Sequence, residues 1–132
     1  MYVLRQVHRA LRPRGLVLDI HPLGLDFAVR AGERGLGFID TRRFGAVLEA
    51  MDAEVELIVS EGLLEEISTL RRHVVERYDD ASEALEEVDS WEHLRMPAAL
   101  RRRLRETDAR PVEFVDTILY RLFRKRSPGR KR

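Results

Sequence analysis

The stretch VLRQVHRALRPRGLVLDIHP, residues 3–22, decides how this chain is read. Val3, Leu4, Val7, Ala10 and Leu11 recur at helical spacing and leave Arg5, Gln6, Arg9 and Arg12 outside, which predicts a helix over residues 2–12. Pro13 and Gly15 end it. LVLDI, residues 16–20, is a short apolar run bounded by Gly15 and Pro22. It predicts a strand covered on both faces, as in a parallel sheet. Alternation puts Leu16, Leu18 and Ile20 on one face and Val17, Asp19 and His21 on the other.

Working outward, residues 22–39 are glycine-rich, with two short strands expected at DFAVR and LGFI. Asp40 has the character of an N-cap for a long helix over residues 41–61. The buried stripe expected of that helix is Phe44, Val47, Leu48, Met51, Val55, Ile58 and Val59, and Gly62 stops it. LEEISTLRRHVVERY, residues 64–78, reads as a strand, although Arg71 and Arg72 interrupt its alternation. Asp80 with Glu83 resembles a capping box and opens a helix with Ala81, Ala84, Leu85, Val88 and Trp91 on its apolar side. A further short helix begins at Met96 and Pro97. PVEFVDTILYRLF, residues 111–123, is the clearest strand, apolar on both faces.

The helix, the turn Leu11-Arg12-Pro13-Arg14-Gly15 and the strand after it resemble a recurrent stretch of class I S-adenosylmethionine-dependent methyltransferases. There a helix ends in a turn of the form L-[KR]-P-G-G and feeds the fifth strand of the sheet. Arg14 stands where the first glycine is usual. The resemblance covers residues 1–125 and implies an α/β fold: a partial Rossmann-like methyltransferase sheet from strand five onward, with flanking helices and a terminal antiparallel hairpin. The implied domain is 1–125, followed by a basic disordered tail over 126–132. The family's glycine-rich loop, roughly E-x-G-x-G-x-G, and the acidic residue that holds the ribose have no counterpart in these 132 residues. The helix opening the sequence has no capping residue before it, so the donor-binding half is expected upstream. S-adenosylmethionine is the cofactor of the intact family. None is expected to bind this chain alone, which is therefore expected to be inactive by itself.

His21 and Asp19 are the candidate site residues. His21 falls at the carboxyl end of the strand over residues 16–20, the edge where open α/β sheets bind ligands. It reads as a general base or an orienting group for an acceptor, or as a polar strand end with no chemistry. Asp19, a carboxylate inside an apolar strand, pairs with a neighbouring Arg, faces solvent or contacts ligand. Gly32, Gly35 and Gly37 lie in no nucleotide-binding pattern. His73 with Arg71 and Arg72 reads as a solvated strand face, and His8 and His93 as exposed. Serines 60, 68, 82, 90 and 127 sit in no nucleophile elbow. No His and acidic pair has metal-ligand spacing, so no metal is expected.

Composition narrows the partners. The chain has no cysteine, which excludes a thiol nucleophile or a disulfide framework. With no membrane-length apolar run and no leader core, a cytoplasmic protein is expected. The formal net charge is +1, but Arg124 to Arg132 hold six Lys or Arg and no acid, so the body is mildly acidic. That tail could touch nucleic acid weakly and without sequence preference, acting as an accessory. Strand 16–20, stripped of strands one to four, would have an unpaired apolar edge with only Asp19 as gatekeeper. The expected partner there is a second copy or a complementary N-terminal methyltransferase half, so a non-enzymatic dimerisation module is the alternative function.

Overall fold

A computed structural model describes residues 3–23, 27–92 and 94–126. Among these residues nine elements follow one another: α1 (Val3–Ala10), β1 (Leu16–Pro22), β2 (Ala28–Ala31), β3 (Arg34–Phe38), α2 (Arg42–Ser60), β4 (Leu64–Tyr78), α3 (Ala81–Asp89), α4 (Ala98–Glu106) and β5 (Val112–Lys125). The fold is α/β with five strands in the order β1-β5-β2-β3, and β4 paired to β5. The Leu23 amide donates to the Thr117 carbonyl and the Lys125 amide to the Gly15 carbonyl, so β1 runs antiparallel to β5. β2 is antiparallel to both β5 and β3.

The structure departs from two expectations. The strand over residues 16–20 was expected in a parallel setting and covered on both faces. It is antiparallel to its neighbour, and Leu16, Leu18 and Ile20 are 54, 56 and 53% exposed. In α2, Leu48, Val55 and Ile58 are buried, but Val47 of the expected stripe is exposed. The glycines at 32, 35 and 37 belong to the β2–β3 hairpin, with Gly32 and Gly37 at positive φ. His93, residues 24–26 and the tail from Ser127 lie outside the described residues.

The chain divides into two compact units. The first draws on Met1–His21, Val47–Arg71 and Leu119–Arg132. Its core is Val55, Ile58, Leu64 and Phe123, with Leu4, Leu11, Val17, Val59 and Leu63 packed against them. The second draws on Pro22–Ala46 and Arg72–Ile118. Its core includes Phe27, Val29, Leu36, Val88, Leu100, Leu104, Val112 and Phe114. The apolar residues on both faces of β5 are thus divided: Val112 and Phe114 serve one core and Phe123 the other.

Local chemistry sets the element ends. The Asp40 carboxylate accepts from the Arg42 amide at 3.1 Å and from its guanidinium at 2.7 and 3.0 Å, which holds the carboxyl down to about 2. At the other end of α2, Gly62 has φ +75, the Gly62 amide donates to the Val59 carbonyl and the Leu63 amide to the Ile58 carbonyl. These two bonds make a Schellman motif. Asp80 caps α3 by accepting from the Glu83 amide at 3.0 Å, and Glu83 reaches back to the Asp79 amide at 2.8 Å.

The turn between α1 and β1 is tight. A Cβ on Gly15 would stand 2.9 Å from the Arg12 carbonyl oxygen. Arg14 has φ 62. A non-glycine residue in this left-handed region is strained by about 1 kcal/mol. Arg14→Gly is therefore expected to raise stability by roughly 0.5 kcal/mol after the unfolded-chain entropy is charged against it. Urea melts of the two proteins measure this. Lys125 closes the same end of the helix by donating to the His8 and Leu11 carbonyls at 2.8 and 2.9 Å.

Candidate functional site

The two residues singled out in the sequence meet in the structure. Alternation along β1 places Asp19 and His21 on one face, and His21 Nδ1 lies 2.9 Å from Asp19 Oδ2. His21 is 6% exposed. Its other ring nitrogen, Nε2, faces Asp52 Oδ1 of α2 at 3.6 Å. Asp19 therefore pairs with a histidine and not with the arginine its position first suggested. Asp52 is the residue sequence inspection missed. It lies on α2, and only its recurrence at the spacing of Leu48 and Val55 would have placed it near the sheet.

A second polar pair belongs to the same unit. Arg121 of β5 is 9% exposed and donates to Glu66 of β4 through Nη2 at 2.8 Å and Nε at 3.3 Å. Its guanidinium also sits 5.1 Å from the Phe123 ring centre. The bond to Arg121, with a lesser one from Thr69, holds the Glu66 carboxyl below its ordinary value. Asp52 and Glu56 add to the field that keeps Arg121 charged, after Glu66 itself.

The sign of the pH effect follows. A carboxylate whose pKa is lowered in the folded state stabilises above its unfolded pKa, and that stability is lost as pH falls through the folded one. Acid melts should show Glu66→Gln with a shallower loss of stability below about pH 4.5 than the parent. Parallel slopes for the two proteins would contradict it.

The arrangement can hold His21 in a fixed orientation between two carboxylates, as a general base or an electrostatic anchor requires. A nucleophile beside Nε2 is not part of it, because Asp52 occupies that direction. Among the described residues no cluster of three or more His, Asp and Glu could hold a metal ion. His73 is bonded to Thr117 Oγ1 at 3.2 Å on the exposed strand β4.

The other feature is the outer side of β1, which ends the strand path. The hydrogen bonds at Gly15 and Leu23 fix the ladder parity, so odd-numbered residues bond to β5. The amides and carbonyls of Leu16, Leu18 and Ile20 consequently point to the free edge, while their side chains form the exposed stripe. Among the described residues no helix is long and apolar enough to cross a membrane. Comparison with known families, characterised proteins and solved structures found no match to this chain.

Proposed function

We propose that residues 1–125 are the latter portion of a class I methyltransferase sheet, and that S-adenosylmethionine is held by polypeptide outside these 132 residues. The observation that carries this is the free edge of β1. An apolar strand with exposed side chains and unpaired amides is costly for a finished sheet. It is what remains where the neighbouring strand and its covering layer belong elsewhere. The turn at residues 11–15 and the pairing of β4 with β5 in a closing hairpin support the same reading.

His21 lies near the carboxyl end of β1, where it would border the ligand side of such a sheet, and Asp19, at the middle of the strand, is bonded to it. Their part in this reading is to orient an acceptor once the donor-holding portion is in place, since Asp52 occupies the direction of the second ring nitrogen. Residues 1–132 alone are inactive in this account. Calorimetric titration of S-adenosylmethionine into the chain should give no saturable heat. Micromolar affinity would contradict the placement of the donor site outside these residues.

The second reading is a non-enzymatic assembly module, favoured by the stripe Leu16, Leu18 and Ile20 itself. It predicts pairing along β1 without any donor-binding partner. A nucleic-acid accessory acting through the tail is weaker, because Lys125 is committed to the α1 carbonyls. Unchanged nucleic-acid binding after replacement of the six Lys and Arg of residues 124–132 by Gln would eliminate it.

A further inference from the structure

The second unit contains a cleft of about 270 Å³. Phe27, Phe44, Trp91 and Leu94 form its apolar walls, and among the described residues that line it the charged ones, Asp116 and Glu92, are acids. The aromatic wall is fixed in place. The Trp91 ring centre lies 5.8 Å from that of Phe27 and 5.6 Å edge-on from that of Phe114. Phe27 meets Phe114 edge to face.

Asp116 sits at an interior position of β5, half-buried, and its Oδ1 accepts from the Thr117 amide. Burial, and then the charge of Glu76, push its carboxyl above the ordinary value. A positive charge placed beside it would offset both by favouring the ionised carboxylate. A hydrated metal ion or a primary ammonium would lose strong hydration against the rings. An alkylated ammonium is weakly hydrated, fits apolar walls, and is attracted by aromatic faces, Trp most of all. From the aromatic walls, the acidic lining and the volume together, we propose that this cleft binds a small alkylated ammonium ion, with its charge toward Asp116 and its alkyl groups against Trp91, Phe27 and Phe44.

Trp91 is the single tryptophan of the chain, so its fluorescence reports the cleft directly. The probe is choline, compared with 3,3-dimethylbutan-1-ol, which has the same shape and no charge. Choline should give a saturable change at Trp91, with an apparent affinity about tenfold higher than that of the alcohol. In Asp116→Asn, checked for folding by far-ultraviolet dichroism, that preference should shrink about threefold or more. Equal affinities of the two probes in the parent protein would overturn the proposal whatever the variant does. So would the absence of a saturable change with choline, or an Asp116→Asn protein that folds and keeps the full preference.

Discussion

Phe114→Ala is expected to destabilise the protein by about 3–5 kcal/mol. Phe114 is 1% exposed. Its ring centre lies 4.9 Å from that of Tyr78, 5.6 Å from Trp91 and 6.1 Å from Phe27. Truncation removes the whole ring from the centre of this cluster and leaves a cavity that three rigid aromatic neighbours cannot collapse to fill. A small domain is stable by roughly 5–15 kcal/mol in all, so a loss of this size leaves the variant marginal at 25 °C. Urea unfolding followed at Trp91 measures it, and the native fluorescence should shift to the red as the indole loses a packing partner. Phe38→Ala is the control. Phe38 is 60% exposed, and its truncation should change stability by no more than about 0.5 kcal/mol. Equal costs at the two positions would show that the second unit is not organised around Phe114.

The other large effect concerns association. The chain alone should self-associate along β1, because among the described residues no strand pairs with its outer edge and the side chains at 16, 18 and 20 are more than half exposed. A two-fold antiparallel pairing centred on Leu18 is self-complementary: Leu18 faces its copy and Leu16 faces Ile20. Leu18→Glu sets two carboxylates opposite each other at the centre and removes two leucines from the contact. The cost, roughly 3 kcal/mol or more, is about a hundredfold in the association constant. Within the monomer the side chain is more than half exposed, so the variant should fold normally. Sedimentation velocity over a concentration series separates the two proteins. Identical profiles for both would remove Leu18 from the contact.

Much of this was legible in the sequence where the signal is local. Asp80 and Glu83 announced the start of α3 because a short acidic side chain satisfies amides only a turn away. Residues 64–78 read correctly as a strand despite Arg71 and Arg72. β4 is exposed along almost its entire length, so packing never demanded clean alternation there. Period-two geometry put Asp19 and His21 on one face of β1, but not the bond between them.

What was not legible depended on distant neighbours. An apolar run such as LVLDI looks the same whether its cover lies in the same chain or outside it, so the open face of β1 could not be foreseen. Asp52 reaches His21 only because α2 packs over β1, a contact no local pattern records. Trp91 was assigned to a helix face. It stands just past the end of α3, in an aromatic group assembled from four separate segments.

The claim on which the rest turns is that the outer edge of β1 is a pairing surface. Amide hydrogen exchange at Leu16, Leu18 and Ile20, measured across a range of protein concentrations, tests it most directly. Protection at these three amides should rise with concentration, while that at Val17 and Asp19, bonded to β5, stays constant. Fast exchange at residues 16, 18 and 20 that does not change up to millimolar protein would contradict it.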